Sequence, residues 1–499
     1  LHAELQQRMR PAGIKNKQII TYFCTKKMSA NLKDTIVALA TAPGVGAIAV
    51  VRISGDQALT IAAQLFRSIK GKDLRKQASH TILLGHIIED EQVIDEVLLS
   101  LFKGPHSYTG ENVVEISCHG SSYIQQRILS LAVKHGCRMA EPGEFTLRAF
   151  LNGKLDLSQA EAVADLIASD SAAAHQLAMN QMRGGFSSEI AKLREELLNF
   201  ASLIELELDF AEEDVAFADR KAFEALVQRI LFVLKRLIDS FAVGNVLKTG
   251  VPVAIIGEPN VGKSTLLNAL LNEERALVSD IAGTTRDTVE DEISIGGIRF
   301  RFIDTAGIRV TTDVVEQMGI QKTFEKAGAA KVVLYLLSLE ETANLAAVFT
   351  EIAQQKNRFP DKFVVVVLNK IDRLSEHFLA AFRDRFTTTF EGVSGLQFVG
   401  ISARERSGVE ALKTLLQSQV ALGAIRSDET VVSNVRHFDA LQQALDAMLR
   451  VDSGIKSNIS SDLLAIDIKD ALYYFGLITG QVTNDELLGN IFANFCIGK

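Results

Sequence analysis

The sequence predicts a multidomain chain of α/β and α class: a mixed α+β domain first, then a discontinuous helical domain with an α/β domain inserted into it. Three observations predict this. Short β-rich runs separated by turn signals fill the chain up to about Gly143. Helical periodicity takes over there and returns near the end. Between Val251 and Leu416, strands alternate with helices, the pattern of a largely parallel sheet covered on both faces. The boundaries read as an extension over 1–27, the α+β domain over 28–147, helical parts over 148–248 and 421–499, and the inserted domain over 249–420.

A chain of 499 residues fits this count of domains, and 47% hydrophobic content supplies their cores. The net charge of -8 argues against a surface that grips nucleic acid everywhere, though not against a local basic patch. Cys24, Cys118, Cys137 and Cys496 form no C-x-x-C pair, which argues against a zinc ribbon or disulfide framework and points to a reducing, cytoplasmic setting. No apolar run reaches the ~18 residues of a membrane span. Residues 1–27 carry Arg8, Arg10, Lys15, Lys17, Lys26 and Lys27 against Glu4 alone. With two arginines and no serine before Ser29 they read less as a transit peptide than as upstream sequence, without fixed structure, ahead of Met28.

From Asp34 the runs "TIVALAT" and "AIAVVRIS" flank the turn signal "APGVG", and "HTILLGHII", "VIDEVLLSLF" and "ENVVEISCHG" continue the strands. "LDLSQAEAVADLIASDSAAAHQLAMNQM" reads as helix, with Ser158 and Glu161 as its capping box. "LREELLNFASLIELELDF" and "AFEALVQRILFVLKRLIDSFA" keep helical spacing, as do "NVRHFDALQQALDAMLR" and "SDLLAIDIKDALYYFGLITG" after the insertion.

The inserted domain opens with "VPVAIIGEPNVGKSTLLNALL", a strand, a glycine loop and a helix. Gly257, Gly262, Lys263 and Ser264 fit G-x-x-x-x-G-K-[ST]: backbone N–H groups wrap phosphates, Lys263 reaches the β- and γ-phosphates, and Ser264 ligates magnesium. Four motifs follow in order. "GTTRD" (Gly283 to Asp287) offers Thr285 as a second magnesium ligand on a loop that can order around a γ-phosphate. In "DTAG" (Asp304, Thr305, Ala306, Gly307), Asp304 can hold magnesium through water and the Gly307 N–H can sense the γ-phosphate. In "NKID" (Asn369, Lys370, Ile371, Asp372), the Asp372 carboxylate matches two donors that guanine has and adenine lacks. "SAR" (Ser402, Ala403, Arg404) brings the Ala403 N–H to the guanine oxygen. Five ordered motifs at strand ends make this a Ras-like P-loop GTPase domain, specific for GTP.

One position departs from the Ras-like scheme. The residue after "DTAG" is Ile308, where a water-orienting glutamine is expected. Asn260, on the P-loop, can hold a cation near the phosphates; Asp313 and Glu316 each offer a carboxylate as base.

With motifs at both ends of the chain, residues 28–499 resemble the MnmE (TrmE) family of tRNA-modifying GTPases. The resemblance rests on "RISG", "YTGENVVEISCHG", "PGEFTLRAFLNGKLDLSQAEAVADLI", "GEPNVGKSTLLNAL", "SDIAGTTRD", "DTAGIR" and the terminal "FCIGK". It implies a folate-binding, dimerising N-terminal domain and a homodimer. It adds Val261, Thr265, Ser279, Asp280, Ile281, Ala282, Gly283 and Thr284 to the GTP contacts, and places potassium at Asn260, Ser279, Ile281 and Thr284. It selects Glu316 over Asp313 as the residue that positions water. It carries folate contacts over to Arg52, Glu115, Lys154 and Lys499. With an FAD-dependent partner, MnmG (GidA), in a heterotetramer, such a protein adds a carboxymethylaminomethyl or aminomethyl group to the wobble uridine of certain tRNAs. The resemblance also implies a 5-formyl- or 5,10-methylene-tetrahydrofolate as cofactor, the methylene form supplying the carbon.

The tail "CIGK" invites a prenylation reading, which the terminal Lys499 opposes. Ile491, Phe492 and Phe495 are expected to pack it down, Gly498 to turn it, and Cys496 to act in the modification chemistry, against the alternative of a core thiol. Two other readings of the chain compete with the enzyme: a GTP-gated ribosome assembly factor, which would need a basic RNA-binding module, and a folate-binding scaffold regulated by GTP.

Overall fold

The computed structural model describes residues 34–209, 220–272, 291–303, 328, 330–421, 430–493 and 495–498. Two compact units emerge, one drawn from residues up to 167, from 181–231 and from 443 onward, the other from 168–180 and 232–442. The expectation for residues 1–27 lies outside the described residues.

The first unit contains a seven-stranded sheet. Its strands are β1 (Ile36–Leu39), β2 (Ile48–Ser54), β3 (Phe66–Ser68), β4 (Thr81–Glu89), β5 (Gln92–Phe102), β6 (Val113–His119) and β7 (Arg138–Met139), in the order β3-β4-β5-β6-β2-β1-β7. All neighbours are antiparallel except β1 and β7. Alternation builds the core: Val97, Leu99 and Leu101 of β5 turn inward while Glu96 and Leu98 turn out. The inner face is covered by α1 (Ala58–Leu65) and α2 (Ser122–Lys134), through Ala58, Ile61, Ala62 and Leu65 and through Ile128, Leu131 and Ala132. Each large aliphatic side chain buried there contributes about 1.5–3 kcal/mol. Register sets Arg52 of β2 opposite Glu115 of β6, both on the outward face.

Helices follow the sheet in the chain, and residues 168–180 and 232–249 among them belong to the second unit. α3 (Glu144–Leu151) and α4 (Leu157–Ala168) follow the sheet. The reading of one capping box is corrected here. Asp156 Oδ1 accepts from the Gln159 N–H at 2.8 Å and Gln159 Oε1 from the Asp156 N–H at 2.9 Å. The reciprocal pair is therefore Asp156 and Gln159, and Ser158 lies inside the helix. Both D-x-x-Q and S-x-x-E fit the letters; burial of Leu157 in an apolar cluster decides for the earlier start. The helical stretch also breaks at "SDS", where Ser171 accepts from the Ala174 N–H and caps α5 (Ala172–Met182). α6 (Gly185–Asp209) and α7 (Arg220–Thr249) precede the insertion.

In the second unit, six strands take the order β13-β12-β11-β8-β10-β9: β8 (Val251–Gly257), β9 (Asp291–Ile295), β10 (Ile298–Phe302), β11 (Val332–Ser338), β12 (Phe363–Asn369) and β13 (Leu396–Gly400). Only β9 runs antiparallel. Both faces are covered, as the near-continuous apolar strands require. α8 (Lys263–Asn272) and α11 (Val409–Ala421) pack on the face of Val253 and Ile255, and α9 (Leu345–Arg358) and α10 (Glu376–Thr389) on that of Ala254 and Ile256. The helices after it are α12 (Val435–Lys456), α13 (Ser461–Thr479) and α14 (Asp485–Phe492), and the buried face of α13 packs along α6.

Candidate functional site

In the second unit three of the sequence motifs, the glycine loop, "NKID" and "SAR", meet where β8 and β12 end. The loop 257–263 is built on unusual backbone: φ is 149° at Gly257, 61° at Asn260 and 101° at Gly262. A Cβ on Gly257 would come within 2.4 Å of the Leu336 carbonyl, and one on Gly262 within 2.2 Å of Asn369 Nδ2. Both positions therefore need glycine, the backbone that a phosphate-cradling loop uses. Lys263 Nζ donates to the Gly257 and Glu258 carbonyls at 2.8 and 2.9 Å, which holds its ammonium over the loop. Ser264 is half-buried, and Asn260 and Thr265 are exposed.

Asn369 ties the motifs together. Its side chain, 2% exposed, donates to the Val261 carbonyl at 2.8 Å and accepts from the N–H groups of Lys370 and Ala403. Lys370, at φ 61°, donates through Nζ to the Asn260 carbonyl at 2.8 Å. The Ala403 N–H is thus already engaged, and a guanine oxygen would share it with Asn369. Asp372 is exposed, and the Ser402 hydroxyl beside it holds its carboxyl below the usual carboxylate range. Ser402 is itself buried, pinned by its N–H to the Ser407 carbonyl at 2.9 Å. Ile371 donates to the Ile401 carbonyl, and Arg404 is exposed.

Ser279, Asp280, Ile281, Ala282, Gly283, Thr284 and Thr285 lie outside the described residues. So do Asp304, Thr305, Ala306, Gly307, Glu316 and, at the chain end, Lys499. Among the described residues no cluster of His, Cys, Asp and Glu has the makings of a metal site, and no helix is long and apolar enough to cross a membrane.

The first unit brings a second group together. Arg52 donates through Nε to Glu115 Oε1 at 2.8 Å and through Nη1 to the Gly498 carbonyl at 3.3 Å. Its guanidinium lies over the rings of Tyr108 and Phe145, 5.4 and 5.7 Å from their centroids. Tyr108 shares a hydrogen bond with Thr146 at 2.9 Å. The tail is held at two points: the Gly143 N–H donates to the Cys496 carbonyl at 3.3 Å, and Gly498 O receives Arg52. Phe492 and Phe495 pack with Leu147, Phe150 and Leu157 of α3 and α4. Cys496 is exposed, whereas Cys118 and Cys137 are buried and burial pushes their thiols up to about 11 and about 12. Lys154 does not join Arg52 directly. Its Nζ donates to the Pro105 carbonyl at 3.0 Å, and it lines an open hollow of about 480 Å³ with His80, Phe102, His106, Ser107 and Tyr108.

Sequence reasoning missed Tyr108 and Phe145. Both lie in the motifs "YTGENVVEISCHG" and "PGEFTLRAFLNGKLDL", but nothing local says that two rings so far apart flank one guanidinium. It also missed Arg148, which is 1% exposed and bonded to Asp34, Glu111 and Glu144 beneath this site.

Comparison with known proteins agrees with both halves. A family model described as the MnmE helical domain matches residues 157–496, and one described as the N-terminus of the GTP-binding protein TrmE matches 35–154. A tRNA modification GTPase MnmE from Flavobacterium johnsoniae is 65% identical over 94% of this chain and 99% of its own. One from Bacteroides fragilis is 53% identical over 94% of this chain and 100% of its own. A solved structure of Era from Aquifex aeolicus, bound to GDP·AlF4-, is 26% identical over 40% of this chain and 66% of that chain, with a TM-score of 0.25. From its N-terminal sheet to its tail, matched by two family models and by relatives that it covers almost end to end, the chain belongs to the MnmE family of tRNA modification GTPases.

Proposed function

We propose that this GTPase is potassium-stimulated and works as a cytoplasmic homodimer with an FAD-dependent partner of the MnmG type. Together they add a carboxymethylaminomethyl or aminomethyl group to the wobble uridine of certain tRNAs. The division of labour follows the domains: 28–147 for folate and dimerisation, 249–420 for GTP, and a helical domain from 148–248 and 421–499. The observation that carries the reading is the docked tail: Gly143 holds the backbone of the exposed Cys496, and Arg52, itself bonded to Glu115, holds Gly498.

For GTP, the positive-φ loop and the Lys263 ammonium fit a triphosphate, and the carboxylate of Asp372 fits the guanine edge. Ser264 and Thr285 would hold magnesium; Asn260, Ser279, Ile281 and Thr284 would hold potassium. These cations supply positive charge against the oxygens of the transferred phosphoryl group. Glu316 would orient the attacking water, in place of the glutamine that Ile308 replaces. For folate, Glu115 presents a carboxylate to the donor edge of a pterin, and Lys154 and Lys499 present cations to its carboxylate tail. The folate supplies a one-carbon unit when bound.

The test is a deletion strain complemented with the chain or with Cys496→Ser, its tRNA nucleosides measured by mass spectrometry beside a GTPase assay on purified protein. The expected result is restored wobble modification with the chain, none or little with the variant, and equal GTP hydrolysis. Unchanged modification in the deletion strain itself would overturn the function and favour the ribosome-assembly reading.

A further inference from the structure

The β9–β10 hairpin plays no part in the nucleotide site described above, yet in the sequence it joins two of that site's motifs. "GTTRD" ends at Asp287, just before β9 opens at Asp291, and β10 closes at Phe302, just before "DTAG" opens at Asp304. The far end of the hairpin touches helices instead. Its turn, Gly296–Gly297, has φ of 60° and 77°, which a two-residue hairpin loop of this kind needs. The Gly297 carbonyl accepts from the Ala173 N–H, in the first turn of α5, at 3.0 Å. A Cβ on Gly297 would stand 3.2 Å from that of Ala172.

Arg299, on β10 and 14% exposed, reaches in two directions. Nη1 donates to Asp170, just ahead of α5, and to Glu292 of β9 at 3.3 Å. Nη2 donates to the Lys248 carbonyl in the last turn of α7 at 2.8 Å. A carboxylate near a helix N-terminus and a cation at a helix C-terminus are both favourable, so one guanidinium joins the ends of two helices. The fork is rigid, and β9 and β10 are paired from Ile298 with Ile295 to Phe302 with Asp291.

We propose that the β9–β10 hairpin is a lever that carries the nucleotide state to α5 and α7, with Arg299 as the residue that positions it. A shift at either phosphate-side motif moves a stiff strand, and the strand moves the helix ends through Arg299, Asp170 and the Gly297 carbonyl. The idea rests on the reading of 283–287 and 304–307 as γ-phosphate contacts.

Hydrogen exchange on the full chain tests it, in GDP and in a non-hydrolysable GTP analogue. In the parent protein, exchange of the peptide 170–175 is expected to differ between the two by about fivefold or more, the scale of ordinary coupling. In Arg299→Gln that difference should vanish, while protection of the P-loop peptide by nucleotide and the rate of GTP hydrolysis stay within about twofold. Arg299→Lys, which keeps the charge and loses the fork, should restore part of it. State-independent exchange at 170–175 in the parent, or a difference that survives in Arg299→Gln, overturns the lever. No protection of the P-loop peptide by either nucleotide would overturn the nucleotide reading beneath it. Should Arg299→Gln fail to fold, Asp170→Asn removes the same contact from the other side: loss of the difference is again expected, and its survival again overturns the lever.

Discussion

Arg52 donates to the carbonyl of Gly498 across a sequence separation of 446 residues, so the first part of the chain holds the last. Gly498 sits at φ 94°, and a Cβ there would meet the Leu39 carbonyl at 2.3 Å. The two facts give a clean perturbation of the tail.

Gly498→Val should release it. The left-handed backbone alone costs about 1–2 kcal/mol for a residue with a Cβ, and the clash adds to that. Wobble modification in a complemented strain is expected to fall as far as in Cys496→Ser, with GTP hydrolysis and thermal stability near those of the parent. Full modification would mean that the tail acts without being docked.

Guanine selectivity should reside in Asp372, the carboxylate beside Ser402. Asp372→Asn presents a donor to the donors of guanine. GTP binding should weaken by about tenfold or more, and xanthosine triphosphate, with a carbonyl in place of the amino group, should gain. Competition binding with the two nucleotides measures this; equal affinities for GTP in mutant and parent would remove the assignment.

Hydrolysis should depend on potassium. Replacing it with sodium at matched ionic strength is expected to slow steady-state turnover, and Glu316→Ala to slow it by about a hundredfold with nucleotide still bound. Identical rates in the two salts would mean that the developing charge is met by some other group.

Acid stability should track the ion cluster around Arg148. Burial raises the carboxyls of Asp34 and Glu144, but hydrogen bonds from Arg138 and Arg148, with the Glu141 N–H on Glu144, outweigh it and leave both below their ordinary 3.8 and 4.5. Lowered carboxylates stabilise the fold above those ordinary values, and the gain is lost as pH falls through the folded ones. Thermal melts should therefore drop below roughly pH 4. Arg148→Met removes one of the two guanidiniums that hold Asp34 and Glu144 and leaves Arg138 on both, so it should cost about 1–3 kcal/mol and move the acid limb to higher pH.

Much of the molecule is local in origin and legible in the letters. The strand, glycine loop and helix at 251–272 follow from short-range rules, as does the alternation of β5, because each depends on residues within a turn or a pleat of one another. The letters read as one helix through Ser171, where the structure starts a new one, and "DLSQAE" satisfies two caps, between which only the burial of Leu157 against Leu488 and Phe492 chooses. By itself the sequence determined the five nucleotide motifs, the insertion and the family. The tertiary structure decided what meets over long separations: Arg52 between Tyr108 and Phe145, Gly498 under Arg52, Asn369 between Val261 and Ala403, and Arg299 between α5 and α7. Such contacts depend on strand register and on loops that close hundreds of residues, and no local propensity encodes those.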